Sequence, residues 1–265
     1  MASITALVTV YHGTNERDLE RALDSLRAQT RPADELLIVA DGPVSEGVRT
    51  VVERQDARVI WLPENVGAGP ASQAGLATID SEYTARLDSD DAAKPERFAR
   101  QLEYLEAHPE VGALGSAVEE FTETPGDTGK VRALPENPHA YATINSPVNN
   151  PSVMLRTRAA VDVGGYKDVH FMEDYDLYAR LIAGGWQVRN IPEALTDFQV
   201  TDAQFSRRTG REMLAAELRM QRNLVSYGLI SRPRAAFNVA ARSAYRALPT
   251  GLLRRVYAVL FHRGG

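Results

Sequence analysis

Three carboxylates crowd into four residues of this sequence. An apolar-leaning run, residues 83–87, stops at Asp88, Asp90 and Asp91. Close carboxylates repel one another unless a cation lies among them, and oxygen ligands of this kind suit Mg²⁺ or Mn²⁺. Such ions usually take one or two carboxylates together with phosphate oxygens. The cluster therefore indicates a site for a metal-bound diphosphate, unless Asp90 or Asp91 only caps the helix that follows.

Alternating strand and helix signals place this cluster at the end of a strand. Apolar and β-branched runs predict strands at residues 4–10, 36–39, 59–62 and 83–87, and helical spacing predicts helices between them and from Pro95 to His108. Such alternation is typical of a parallel sheet flanked by helices. Open parallel sheets bind ligands beyond the carboxyl ends of their strands. Tyr11, Asp41 and Asp88 each follow a strand, so we expect them to meet in one crevice.

The second half of the chain is less regular. Polar residues 122–138 are rich in Gly and Pro and predict a loop, whereas residues 152–155 predict a strand and 174–182 a helix. From Arg207 onward the sequence predicts helices that break near Pro233 and Pro249. The sequence contains no repeat and no clear linker, so we do not expect two independent domains.

The composition excludes several classes of protein. The chain has no cysteine among its 265 residues, which excludes disulfides, thiolate metal sites and a cysteine nucleophile. No apolar run approaches the ~18 residues of a membrane span, and the N-terminus lacks a signal-peptide pattern. We therefore expect a cytoplasmic protein. A nucleotidyltransferase, which also uses an acidic metal site, lacks support because "NVGAGPASQAG" has no G-K-[ST].

The charge is distributed unevenly. Residues 206–265 hold 12 arginines against two acidic residues, although the whole chain has a net charge of -5. Residues 250–265 place leucines, Val256 and Tyr257 at helical spacing beside arginines, which predicts an amphipathic helix able to lie on an anionic membrane. The alternatives are a solvated basic surface, packing on the body, or an interface in a homo-oligomer. We expect no nucleic-acid partner.

Several stretches, in this order, resemble the family 2 inverting glycosyltransferases with the GT-A fold, and among them the amylovoran-type exopolysaccharide enzymes. They are "TALVTVYHG", "LLIVADGP", "ENVGAGPASQAGL", "ARLDSDDAAKPERFARQ", "VNNPSVMLR", "VGGYKDVHFMEDYDLYARL" and "SRRTG". The resemblance implies an α/β, Rossmann-like, mostly parallel central sheet flanked by helices, over residues 1–205. Its nucleotide-binding half would span about 1–115 and its acceptor half about 116–205. Residues 206–265 would form a basic helical C-terminal extension.

The resemblance also implies roles for individual residues. For the nucleotide, Tyr11 would flank the uracil, Asp41 would hydrogen-bond it and Asp88 would touch the ribose or base side. Asp90 would bind the Mn²⁺ or Mg²⁺ that bridges the two phosphates. Asp174 of the Glu173–Asp174 pair would be the general base, since an inverting transfer needs one carboxylate to take the acceptor proton. Tyr11 could instead be ordinary packing and Asp41 a turn residue. Glu173 and Asp176 could be structural, and for Asp176 we favour an ion pair with Arg180 one turn on.

Four positions depart from the family pattern. Related sequences usually have Lys at Pro70 and Asn at Gln73, often Arg near Ser72, and His at Asn150. These differences remove positive charge and donors near the expected diphosphate or acceptor. Arg207 and Arg208 of "SRRTG" match a basic stretch near the active site of related enzymes, and we expect Arg207 to contact the nucleotide.

The function predicted from these residues is metal-dependent, inverting transfer of a hexose or N-acetylhexosamine from a UDP-sugar. The acceptor would be a cell-surface glycan or its lipid-linked precursor, on the cytoplasmic face of a membrane. The alternative is a non-catalytic protein of the same fold that binds a sugar nucleotide or glycan. The presence of Asp88, Asp90 and Asp174 together favours the enzyme.

Overall fold

The computed structural model describes residues 2–201 and 211–246. The strands are β1 (Ile4–Tyr11), β2 (Glu35–Asp41), β3 (Arg58–Trp61), β4 (Tyr83–Asp88), β5 (Ala92–Ala93), β6 (Val111–Phe121), β7 (Lys130–Arg132), β8 (Met154–Arg156) and β9 (Gln187–Gln199). The helices are α1 (Glu16–Arg27), α2 (Glu46–Glu53), α3 (Ala68–Leu76), α4 (Arg97–Ala107), α5 (Thr157–Asp162), α6 (Glu173–Ala183), α7 (Arg211–Ser226) and α8 (Arg232–Arg246). Short 3₁₀ turns lie at Tyr141–Thr143 and Asn150–Ser152. The strands form one sheet in the order β3-β2-β1-β4-β8-β6-β9-β5, and β7 pairs with β6.

The first four strands pair in parallel, as the alternating pattern predicts. β1 pairs with both β2 and β4, and β2 pairs with β3. In this register Tyr11 lies opposite Asp41, and Thr9 lies opposite Asp88. The three side chains of the predicted crevice therefore end neighbouring strands at one edge of the sheet.

Two long strands of the second half, β6 and β9, are absent from the sequence-based expectation. They pair with each other in parallel, and β8 joins β4 to β6 in antiparallel fashion, so the sheet as a whole is mixed. Glycine weakens the strand signal of β6, yet a Cβ at Gly115 would lie 2.4 Å from Asn190 Oδ1 and 2.5 Å from Val148 Cγ1. Pro192 lies in β9 where its pairing with β6 shifts register. β7 likewise lies inside the segment predicted as a loop.

The N-terminal caps of the helices show whether Asp90 or Asp91 caps a helix. The side chain of Asn15 caps α1 and that of Ser45 caps α2. By contrast, α4 begins at Arg97, two residues later than predicted, and among the described residues none caps it with its side chain. The capping explanation of Asp90 and Asp91 is therefore wrong.

The core lies on both faces of the sheet. The predicted apolar face of α1, with Leu19, Leu23 and Leu26, is buried together with α2 and α4 against one face. Helix α3 covers residues Leu7 and Leu37 on the other face. Helices α5 and α6 continue that layer over β6 and β8.

Helix α7 packs onto α6, and helix α8 packs onto α7. Buried Met213, Ala216, Met220 and Leu224 of α7 contact a cluster that includes Tyr175 of α6. The predicted break near Pro233 corresponds to the interval between the end of α7 at Ser226 and the start of α8 at Arg232, and Pro233 itself lies in the first turn of α8. Pro249 and the predicted membrane-binding helix at 250–265 lie outside the described residues. Within the described part of the chain, no helix is both long and apolar enough to span a membrane.

Candidate functional site

Tyr11 and Asp41 lie side by side where β1 and β2 end. Tyr11 is half-buried, and its ring meets that of His12 edge-on at a centroid distance of 5.2 Å. The Asp41 carboxylate accepts hydrogen bonds from the backbone N–H groups of Val66 (2.7 Å) and Gly67 (3.0 Å). Asp41 is only 4% exposed, so it fixes the loop that leads into α3. The contact of Asp41 with uracil stays a prediction, and it would have to use the remaining lone pairs of the carboxylate.

The three carboxylates after β4 differ in their surroundings. Asp88 is half-buried, and its Oδ1 accepts a hydrogen bond from Arg86 Nη1 at 2.5 Å. Asp91 is fully buried, and its Oδ1 accepts the backbone N–H of Gln199 at 2.7 Å. Burial, reinforced by Asp90 and Asp88, raises the pKa of Asp91 well above its ordinary value. Two features of the protein therefore reduce the repulsion among the three carboxylates: Arg86 pairs with Asp88, and the raised pKa of Asp91 favours its neutral form.

Asp90 keeps a more open position. It is half-buried, and its backbone carbonyl accepts a hydrogen bond from Arg21 Nη2 of α1 at 2.8 Å. Gln199 at the end of β9 also bonds Asp18 of α1 through its side chain, at 3.2 Å. Helix α1 and strand β9 therefore hold the backbone of the acidic loop from two sides.

Arg86 is the site residue that sequence reasoning missed. Its side chain is 5% exposed, and it lies within β4, where it reads as one polar residue in an apolar run. Burial lowers the pKa of Arg86, but the charges of Asp88 and of nearby acidic groups, Glu173 among them, outweigh it and the pKa is raised. Arg86 is therefore a buried cation between the acidic loop and helix α6. The sequence does indicate this position, because Arg86 precedes Asp88 by two residues and side chains two apart in a strand lie on the same face.

Glu173 and Asp174 open helix α6 and face this cation. Burial, with the Asp174 charge, raises the pKa of Glu173 to about 7, while Arg86 acts in the opposite direction. Burial also raises the pKa of Asp174, against the lowering effect of the Tyr175 backbone N–H and of Arg86. The Asp174 Oδ2 atom is 3.4 Å from Ser146 Oγ, which donates a long hydrogen bond. A helix N-terminus favours ionised carboxylates, but burial outweighs this effect, and the pKa of both acids in the first turn of α6 is raised.

Asp176 does structural work, as the sequence predicts. It is fully buried, and its Oδ2 accepts a hydrogen bond from Arg180 Nε at 2.7 Å. Its Oδ1 accepts hydrogen bonds from Asn223 Nδ2 and Tyr227 Oη, both at 2.8 Å. Asp176 therefore joins α6 to the end of α7 and the turn after it.

Two of the residues that depart from the family pattern build the wall of the site. The Gln73 Oε1 atom accepts the backbone N–H of Tyr166 at 2.7 Å, and Asn150 Oδ1 accepts the hydroxyl of Tyr178 at 2.9 Å. Tyr166 and Tyr178 are both buried, and each interacts electrostatically with Arg86. Ser72 is buried in α3 and Pro70 lies in the same helix. Gln73 and Asn150 thus brace the tyrosines around Arg86. The predicted nucleotide contact Arg207, and Arg208, lie outside the described residues.

Comparison with known families identifies the chain. The family model described as "Glycosyl transferase family 2" matches residues 5–162, more than half of the sequence. The chain belongs to glycosyl transferase family 2. It is therefore a glycosyltransferase, as the motifs predict.

Two named glycosyltransferases resemble the chain along nearly its whole length. The amylovoran biosynthesis glycosyltransferase AmsE of Erwinia amylovora is 32% identical over 258 residues, 96% of this chain and 97% of the relative. The UDP-Gal:alpha-D-GlcNAc-diphosphoundecaprenol beta-1,3-galactosyltransferase of Escherichia coli is 29% identical over 265 residues, 98% of this chain and 96% of the relative.

Solved glycosyltransferase structures share the fold. TarS 1–349 of S. aureus, in complex with UDP-GlcNAc, gives a TM-score of 0.66 at 15% identity and covers 90% of this chain and 71% of its own. The mannosyltransferase PcManGT of Pyrobaculum calidifontis, in complex with GDP-Man and Mn²⁺, gives a TM-score of 0.61 at 19% identity, over 98% of this chain and 80% of its own. At such identities the likeness concerns the fold alone, and the predicted GT-A fold is confirmed.

The donor set of the acidic loop fits a divalent cation held jointly with a ligand. Within residues 2–201 and 211–246, no three His, Cys, Asp or Glu side chains are grouped so that they could hold a metal by themselves. Asp88 and Asp90 are half-buried carboxylates two residues apart, and Mg²⁺ or Mn²⁺ commonly takes one or two carboxylates with phosphate oxygens. Asp91 is fully buried, so its carboxyl group is not accessible to a cation that binds at Asp88 and Asp90.

Proposed function

We propose that this family 2 glycosyltransferase catalyses inverting transfer of a hexose or N-acetylhexosamine from a UDP-sugar, with a bound Mn²⁺ or Mg²⁺. One arrangement carries the proposal: buried Arg86 is paired with Asp88 at 2.5 Å and interacts with Glu173 and Asp174 at the start of α6. A single displacement at a sugar carbon needs a group that stabilises the departing diphosphate and a base beside the acceptor. The acidic groups on either side of Arg86 are the candidates for these two roles.

Asp174 is the proposed general base. A base works best when its pKa is near the operating pH, and burial raises the pKa of Asp174. Glu173 has a raised pKa as well, so the two carboxyl groups must be told apart by mutation. We favour Asp174 because the hydroxyl of Ser146 orients its carboxylate, and because the family resemblance assigns the base to this member of the pair.

Asp90, with Asp88 beside it, is the proposed seat of the cation. A divalent cation bound there would neutralise the charge that develops on the departing diphosphate. Residues of this chain hold the loop in position. Arg86 pairs with Asp88, Asp91 anchors the loop to β9 through Gln199, and Arg21 anchors it to α1.

The relatives support the choice of donor and acceptor. The Escherichia coli relative is named for transfer from UDP-Gal to a diphosphoundecaprenol-linked GlcNAc, and AmsE is named for amylovoran biosynthesis. A structural neighbour binds UDP-GlcNAc, whereas another binds GDP-Man. Tyr11 and Asp41, adjacent at the ends of β1 and β2, favour a uracil. We accordingly propose a cell-surface glycan or its lipid-linked precursor as the acceptor.

A lipid-linked acceptor would make membrane contact useful. We therefore propose peripheral attachment to the inner face of the cell membrane through residues 250–265. The described part of the extension supports this placement because it exposes Leu214, Leu218 and Phe237 on α7 and α8, beside several arginines of the same helices.

A thermal-shift panel of UDP-, GDP- and dTDP-sugars, each with Mn²⁺ or EDTA, tests the donor and the metal together. A ligand at about 100 times its Kd stabilises the folded state by roughly 2.7 kcal/mol. We expect a shift with one UDP-sugar and Mn²⁺, and release of UDP from that sugar on longer incubation. A shift without any turnover would support the non-catalytic alternative, and a shift with only GDP-sugars would refute the proposed donor.

A further inference from the structure

Residues 141–146 form a segment that lies against the first turn of α6. The Ser146 hydroxyl donates to Asp174 Oδ2 at 3.4 Å, and the Tyr175 hydroxyl donates to the Ala142 carbonyl at 2.6 Å. Apart from the 3₁₀ turn at Tyr141–Thr143 the segment has no regular structure. A segment of this kind needs contacts from elsewhere to stay in one place.

Helix α8 supplies those contacts. The side chain of Asn238 is 2% exposed, and its Nδ2 donates to the Thr143 carbonyl at 2.8 Å. Arg242 Nη1 donates to the Ile144 carbonyl at 2.6 Å and to Asn145 Oδ1 at 3.3 Å. Three successive residues immediately before Ser146 are thus held by one helix of the C-terminal extension.

A buried polar network fixes the position of α8 in turn. Asn238 Nδ2 also donates to Gln221 Oε1 at 2.9 Å, and Gln221 Nε2 donates to Glu217 Oε1 at 2.9 Å. The Glu217 side chain is fully buried, and its Oε2 lies 2.6 Å from Arg242 Nε. Moving α8 would leave a buried carboxylate and amides without partners, which is costly.

Helix α7 holds the other side of the same turn. Asn223 of α7 and Tyr227, which follows it, donate to Asp176. Asp176 lies two residues after Asp174 on α6. Asp174 is therefore placed between two sets of hydrogen bonds, both of which originate in the extension.

We propose that helices α7 and α8 position the base of the transfer reaction, and that Asn238 and Arg242 do so by holding residues 143–146 against Asp174. The inference rests on the proposed role of Asp174. It makes the extension part of the catalytic apparatus: Asn238 and Arg242 are positioning residues, which act through Ser146.

The test uses the full chain and measures release of UDP from the UDP-sugar selected in the panel, with water as acceptor. Arg242→Lys keeps the charge beside Glu217 but loses the planar fork that reaches Ile144 and Asn145. Asn238→Leu removes the donor to Thr143 at nearly constant volume. We expect each to lower kcat about five- to tenfold, with KM for the donor changed less than about twofold. The matched control is Arg232→Lys on the exposed start of α8, which should change neither constant.

A double-mutant cycle asks whether α8 acts through Ser146. Ser146→Ala should lower kcat by a similar factor, and adding Arg242→Lys to it should cost less than about a further twofold. If the losses in kcat of Ser146→Ala and Arg242→Lys multiply in the double variant, the inference is overturned. A rise in KM at unchanged kcat, or an equal loss of kcat with Arg232→Lys, would also overturn it. Asp174→Asn separates the two proposals. If it is inactive while Arg242→Lys and Asn238→Leu turn over normally, only the positioning role fails, whereas an active Asp174→Asn refutes the base itself.

Discussion

The same conservative change at two positions of α6 should have opposite consequences. Asp176→Asn removes a fully buried negative charge that accepts hydrogen bonds from Arg180 (2.7 Å), Asn223 and Tyr227 (both 2.8 Å). Asp174→Asn, two residues earlier, removes a half-buried charge that lies among other acids. We expect the first to unfold the protein more easily, and the second to stop turnover without a loss of stability.

The expected size for Asp176→Asn follows from its surroundings. Breaking a buried ion pair by removing one partner costs about 3–5 kcal/mol, because the other charge stays buried, and the Arg180 side chain is only 6% exposed. For a chain of this length each kcal/mol corresponds to about 2–4 °C in Tm. Tm should therefore fall by roughly 6–20 °C.

For Asp174→Asn the change in the free energy of unfolding should be near zero or favourable. Burial, with a smaller contribution from Asp88, raises the pKa of Asp174 despite the Tyr175 N–H and Arg86, so the carboxylate is less favourable in the folded chain than in water. Loss of the base should lower kcat by roughly 100-fold or more while donor binding survives.

Calorimetry at one pH and UDP release from the selected UDP-sugar measure both variants. A Tm for Asp176→Asn within about 2 °C of wild type would refute the structural role argued for Asp176. An equal fall in Tm for Asp174→Asn would show that Asp174 too is structural. If Glu173→Gln is the inactive variant and Asp174→Asn turns over, the base is Glu173.

Four further outcomes are expected. Asp90→Asn, and EDTA on the wild type, should each lower transfer by roughly 100-fold or more; full activity in EDTA would contradict the metal assignment. Burial and Asp174 raise the pKa of Glu173 from 4.5 to about 7, so its ionisation costs stability as the pH rises between these values. The Tm of Glu173→Gln should therefore gain on wild type from about pH 5 to about pH 8, and a constant difference would refute this. Arg86→Gln should move the acidic limb of the pH–rate profile to higher pH, because Arg86 lowers the pKa of both Glu173 and Asp174. Arg86→Lys should move this limb less. An unmoved limb in Arg86→Gln would exclude electrostatic coupling between Arg86 and the base. The full chain should sediment with anionic vesicles at low salt and a chain ending at Pro249 should not; equal sedimentation of both would refute the membrane helix.

Local sequence determined the first half of the fold and most of the candidate site. The strands β1 to β4 are short apolar runs whose alternation with helices requires parallel pairing, and residues that follow such strands must share an edge of the sheet. That is why Tyr11, Asp41 and Asp88 could be placed together, whereas the role of Asp174 was predicted only from the family resemblance. The Asp176–Arg180 pair is likewise local, one helical turn apart.

Tertiary structure alone decided the rest, since it depends on contacts between residues far apart in sequence. Position 115 of strand β6 requires glycine because Asn190 and Val148 occupy the space that a side chain would fill. Since glycine is rare in strands, the sequence pattern did not predict a strand here. The three acids after β4 look equivalent in sequence, yet burial under Gln199 separates Asp91 from Asp88 and Asp90. Arg86 became a site residue only once β4 and α6 were brought together, because a charge acts through distance and burial and not through its position in the sequence.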